Sequence, residues 1–196
     1  GLERAEAAGA DKVAVFTAAS ETFNQKNINA SFAESMDRFR PVLAKSRVPV
    51  RAYISTAFWC PYEGRIWPTA VVEIIKKLMD LGVREISIGD TIGKATPPDV
   101  RALLEVLPSG VPIALHFHDT YSHALENALL AWRDYKIEAF DSSAGGIGGC
   151  PYAPGASGNV ATEKLVEALK AAGARMDVKI DAVRRAAALL DPYLKR

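Results

Sequence analysis

Apolar positions along the chain fall into two alternating patterns. Short runs at 12–16, 49–55, 84–89, 112–118 and 137–142 are strand-length, and each follows a turn signal or a helix stop. Between them apolar residues recur at helical spacing. Phe32, Met36, Phe39 and Leu43 mark a helix over 31–46. Val71, Val72, Ile75, Leu78 and Met79 mark one over 69–81, stopped by Gly82. Thr96 followed by Pro97 reads as an N-cap and first-turn proline, opening a helix that runs to Leu107. Further helices are predicted over 120–135, 161–172 and 181–194.

Strands separated by single helices must run parallel, because a parallel crossover needs a dozen or more residues. The chain is therefore α/β. Two architectures fit, an open doubly wound sheet and a (β/α)8 barrel. The glycine-rich phosphate turn of a dinucleotide-binding sheet should follow the first strand, and here Thr17-Ala18-Ala19-Ser20 does instead. A closed barrel takes about eight strands and roughly 250 residues. The expectation is one partial barrel domain over 1–196: the last five βα units with C-terminal helices, the N-terminal strands being absent. The opening run 1–9 contains no initiator Met and reads as the second half of a helix. An open edge at 12–16 would leave backbone groups unpaired.

In both architectures chemistry gathers at the C-terminal strand ends. Those ends carry Ser20 and Glu21, Ser55, Asp90, His116 and His118, and Ser142 and Ser143. Helix N-caps favour the same residue types, so capping competes with function for the serines. His116 and His118 are two apart on one strand, so both imidazoles face one side while Phe117 faces the other. Two convergent imidazoles suit a divalent metal, a proton relay, or a pair of satisfied core histidines. His123, on the next helix, reads as a surface or packing residue.

Asp90 lies at a strand end between Gly89 and Gly93, placed either to act as a base, to bind a substrate hydroxyl or to cap a turn. The segment 144–159 holds six glycines and must be a long loop. Cys150 within it suits a nucleophile, an acid/base thiol or a redox-sensitive gate. Asn159 ends the loop, as an N-cap of the next helix or as a carbonyl ligand to a hard metal. Cys60, in a second Cys-Pro-Tyr sequence, reads as structural.

Composition narrows the partners. With 24 Lys+Arg against 23 Asp+Glu the net charge is +1, which argues against a nucleic-acid binder. No apolar run approaches the ~18 residues of a membrane span. Two cysteines give no disulfide framework, which fits a reducing compartment.

Taken together, these residues resemble the 3-hydroxy-3-methylglutaryl-CoA lyase family, within the metal-dependent lyase and Claisen-synthase superfamily of TIM barrels. The resemblance rests on Ala18-Ala19-Ser20-Glu21 with Lys26-Asn27-Ile28-Asn29, on Cys60-Pro61-Tyr62-Glu63-Gly64, and on Gly89-Asp90-Thr91-Ile92-Gly93. It continues through His116-Phe117-His118-Asp119-Thr120-Tyr121 and Gly148-Gly149-Cys150-Pro151-Tyr152-Ala153 with Gly158-Asn159. The His-x-His alone is shared with isopropylmalate and homocitrate synthases; the cysteine loop favours the lyase.

The resemblance implies retro-Claisen cleavage of 3-hydroxy-3-methylglutaryl-CoA to acetyl-CoA and acetoacetate. His116, His118 and Asn159 would hold Mg²⁺ or Mn²⁺, and His116, Cys150 and Asp90 would be catalytic. Ser87, Asp90 and Gly149 would touch substrate. The family's Arg-Asp pair near the end of the first barrel strand has no counterpart in this sequence. The alternatives are a related acyl-CoA lyase or Claisen-type synthase, or a non-catalytic fragment. The expected partners are an acyl-CoA and a second copy of the chain in a homodimer, with neither nucleic acid nor membrane. The expected compartment is a bacterial cytoplasm, or the mitochondrion in a eukaryote.

Overall fold

A computed structural model of the chain describes residues 1–149 and 158–190. After α1 (Leu2–Ala7) come β1 (Val13–Ala18), α2 (Glu21–Ile28), α3 (Phe32–Lys45) and β2 (Val50–Ser55). A small hairpin, β3 (Trp59–Cys60) and β4 (Gly64–Arg65), precedes α4 (Pro68–Asp80). Then follow β5 (Glu85–Asp90), α5 (Pro97–Leu104), β6 (Ile113–Phe117), α6 (Ala124–Tyr135) and β7 (Ala139–Asp141). A 3₁₀ turn (Ala144–Gly146), α7 (Thr162–Ala171) and α8 (Ile180–Ala188) complete the described elements.

The main sheet has the order β1-β2-β5-β6-β7, and every pairing is parallel. Strand order thus follows chain order. A doubly wound sheet reverses its order at a switch point, and this one does not. It is the five-stranded arc of a TIM barrel, as the spacing of strands and helices predicts. The helices pack on one face through Ile54, Val71, Ile75, Leu78, Ile86, Ile88, Leu103 and Leu115, each at most 1% exposed. The other face is the barrel interior. None of the described helices is long and apolar enough to cross a membrane.

Two elements carry no periodic signal and are absent from the sequence reading. Helix α2 buries only Phe23 and Asn24, so its sequence lacks an apolar stripe. The β3–β4 hairpin is two residues per strand and folds across the end of β1. It is pinned there by Cys60, which is 3% exposed and donates its thiol to Ser20 Oγ at 3.0 Å. Ser20 Oγ also accepts the Phe23 amide at 3.0 Å as the N-cap of α2. Cys60 is therefore structural, and Ser20 serves capping as much as any site. Ser20→Ala is expected to cost ~0.5–2 kcal/mol of folding stability, read from urea unfolding, because it removes the acceptor of both groups.

Candidate active site

The C-terminal ends of β1, β2, β5, β6 and β7 border one open cavity of about 600 Å³. Phe16, Tyr53, Gly89, Thr91, His116, His118 and Asp141 are among its walls. Tyr53 stacks on Phe16 at 4.8 Å between ring centroids and meets His116 edge-on at 6.5 Å. The site thus lies where strand alternation places it.

His116 and His118 face the same side of β6, with ring centroids 5.3 Å apart. Phe117 points the other way and is 1% exposed. Burial, with the neighbouring His116 charge, pushes the His118 imidazole down to about 4. It is a neutral ring near neutral pH, as metal ligation requires. The Nδ1 atoms of both histidines are buried and have no hydrogen-bond partner among the described residues.

Asn159 arrives from a different part of the chain. Segment 158–160 is laid along the end of β6: Asp119 N donates to Gly158 O at 3.0 Å and Val160 N to Phe117 O at 3.0 Å. This forms an antiparallel bridge between His118 and Asn159. The Asn159 amide nitrogen donates to the carbonyls of Ile147 at 3.0 Å and Gly148 at 3.1 Å. Its Oδ1 is buried and has no partner among the described residues. The orientation of the amide is thereby fixed, with the oxygen left over. Asn159 is not the cap of the next helix; Ala161 occupies that position.

Donor chemistry at this spot fits a divalent cation. Two imidazoles and an amide oxygen suit Mg²⁺ or Mn²⁺ when other oxygens complete the shell. Among the described residues no group of three or more His, Cys, Asp or Glu could hold an ion by itself. His123 sits at the N-cap of α6, outside this group.

Asp90 differs from the reading that makes it a cavity base. It is 1% exposed and does not line the cavity. Its carboxylate accepts the amides of Lys94 and Ala95, both at 3.1 Å, so it caps the turn after β5. Burial pushes the carboxyl up to about 7, against those amide donations. Ser87 is fully buried and donates to Asp141 Oδ2 at 2.8 Å, which puts it behind the site rather than on it. Gly149 is exposed, and Cys150 lies outside the described residues.

The structure adds a charged group that the sequence reading does not contain. Arg51 on β2 pairs with Glu85 on β5 and donates to Asp141 Oδ1 at 2.9 Å and to Tyr53 Oη at 3.3 Å. Lys12 also pairs with Glu85. Burial alone would raise the Asp141 carboxyl; His116, Ser87 and Arg51 outweigh it and hold it below the usual carboxylate range. One signal was available. Parallel strands buried on both faces read as near-continuous apolar runs, and Arg51 and Glu85 interrupt theirs.

The HMGL-like family model matches residues 1–190. The chain is 48% identical over 192 residues to the cytoplasmic 3-hydroxy-3-methylglutaryl-CoA lyase of Rattus norvegicus, covering 95% of this chain and 56% of that protein. It is 45% identical over 202 residues to the human mitochondrial hydroxymethylglutaryl-CoA lyase, covering 100% of this chain and 62% of that protein. The chain therefore spans little more than half the length of these relatives. Among solved structures, the HMG-CoA lyase of Brucella melitensis superposes with a TM-score of 0.93 at 41% identity, covering 98% of this chain and 70% of that one. An HMG-CoA lyase of Acinetobacter baumannii, in complex with coenzyme A and 3-methylmalate, gives 0.88 at 33% identity, with coverages of 98% and 64%.

Proposed function

We propose, because the chain belongs to the HMGL-like family, that it carries the cation-binding face of a 3-hydroxy-3-methylglutaryl-CoA lyase. One observation carries the reading: His116 and His118 face one side of β6 with ring centroids 5.3 Å apart, and Asn159, bridged to His118, has a buried Oδ1 with no partner among the described residues. Buried polar atoms are ordinarily satisfied, and those that are not need a reason. A bound cation would supply that reason for Asn159 Oδ1.

The implied reaction removes the proton of the substrate's tertiary hydroxyl, breaks the adjacent carbon–carbon bond and protonates the acetyl-CoA carbanion. Acetoacetate and acetyl-CoA leave. A divalent cation on these donors supplies Lewis-acid charge that makes the hydroxyl more acidic and screens the developing negative charge. His118 and Asn159 hold fixed positions in this scheme. His116 borders the cavity and Asp90 does not, so His116 is assigned the hydroxyl proton. Asp90 acts by holding the turn beside β6. Cys150 is assigned the protonation of the carbanion, and Gly149 the approach of substrate.

The acyl-CoA partner is supported by the coenzyme A complex of the Acinetobacter relative. The relatives are named as cytoplasmic and mitochondrial proteins, and either compartment suits this reading. Residues 1–196 are taken as parts of one catalytic domain, and the homodimer stays a proposal. The full-length gene product, incubated with 3-hydroxy-3-methylglutaryl-CoA and Mg²⁺, is expected to release acetoacetate, and chelation to stop it. Metal-dependent cleavage of another acyl-CoA without acetoacetate would assign the site to a different substrate.

A further inference from the structure

We infer that Asp141 is a positioning residue for His116: it holds the imidazole with its proton on Nδ1, so that the Nε2 lone pair is the one offered to the cavity. The inference deepens the cation reading above and rests on it for its functional consequence.

The geometry starts from Asp141 at the end of β7, which pairs in register with His116 on β6. Asp141 Oδ2 stands 3.4 Å from His116 Nδ1. The contact is within reach of the charge but is not aligned as a hydrogen bond, since Nδ1 counts as unpartnered. A small rotation of the ring closes it. No such latitude exists for Asp141. Its Oδ1 takes Arg51 Nη1 at 2.9 Å, and its Oδ2 takes the Ser87 hydroxyl at 2.8 Å. Arg51 is braced in turn by Glu85, which Lys12 also holds. The carboxylate is thus clamped from β2 and β5 while it faces β6.

A clamped acceptor beside Nδ1 favours the tautomer that donates from Nδ1. The other ring nitrogen is then the acceptor, as ligand or as base. Carboxylates in this relation to a ligating histidine fix its orientation and raise its basicity, and their loss typically costs about 10–100-fold in metal affinity. Among the described residues His118 has no such partner, so the two imidazoles are not equivalent there. The one bordered by Asp141 is the one with a set orientation before any ligand arrives.

The test uses the full-length protein and its Asp141→Asn variant, with Mn²⁺ as the probe. Calorimetry is expected to show Mn²⁺ affinity lower by about 10–100-fold in the variant. Ring ¹⁵N chemical shifts of His116 at pH 8, recorded without metal, are expected to show the Nδ1–H tautomer in the parent and a mixed population in the variant. A merely structural Asp141 would leave those shifts where they are. Unchanged shifts with unchanged affinity in a natively folded variant overturn the inference. Should Asp141→Asn not fold, Ser87→Ala removes one clamp and leaves the charge. It is expected to move both readouts in the same direction, with affinity down about tenfold, and no change in either overturns the inference. A parent that binds no Mn²⁺ but shows the shift difference upholds the positioning role and overturns only the cation reading.

Discussion

Replacing His118 by Ala should abolish high-affinity Mn²⁺ binding while leaving the fold in place. Loss of an outer-shell partner costs a metal site about 10–100-fold, and removal of a direct donor should exceed that range. Stability should move little, for a reason visible in the structure. His118 is buried at 8% exposure, and its Nδ1 has no partner among the described residues. An unsatisfied buried nitrogen costs ~1–3 kcal/mol. Its removal offsets the packing lost with the ring, so the net change in unfolding free energy should stay within about 1 kcal/mol. Calorimetry with Mn²⁺ and a urea titration give the two readouts. Wild-type Mn²⁺ affinity would remove His118 from the site. A loss of several kcal/mol of stability would show that the ring supports the fold instead.

Why the site was partly legible follows from the same strand. Alternation alone predicts that His116 and His118 converge while Phe117 packs away, and the rings do converge. Parallel pairing follows from crossover length, and the barrel from the strand count without a glycine-rich turn after the first strand, in agreement with the observed strand order. Those features are local, or nearly so. Asn159 is different. Sequence placed it at a helix start, but its amide is set by the carbonyls of Ile147 and Gly148 and its backbone by β6. Nothing in its neighbours announces that register. Asp141 is harder again, because its partners Arg51 and Ser87 are 90 and 54 positions away. Only the curl of the sheet, which brings β2 and β5 within reach of β7, puts these groups together. Asp90 was legible as a residue with two open roles: a carboxylate at a strand end can cap a turn or face a substrate, and the structure shows the amides of Lys94 and Ala95 donating to it.

Gly158→Ala should damage the same site from outside it. Gly158 has φ +105°, a conformation that side-chain-bearing residues rarely adopt. A Cβ built there would lie 2.1 Å from the carbonyl oxygen of Gly146. That neighbour is backbone, so no side chain can swing aside. The segment itself must move, and with it the hydrogen bond from Asp119 N to Gly158 O and the bridge that sets Asn159 against His118. Strained backbone of this kind costs of order 1–3 kcal/mol. The larger effect should appear in binding, because the segment carrying Asn159 would shift from its bridge to His118: Mn²⁺ affinity should fall at least tenfold, about 1.4 kcal/mol. Gly110→Ala separates strain from displacement. Gly110 has φ +95°, yet a Cβ there meets nothing within 4 Å. It should cost stability of the same order and leave Mn²⁺ affinity unchanged. Equal affinities in the two variants would mean that Asn159 reaches the cation site without the close approach of Gly158 to Gly146, or does not reach it at all.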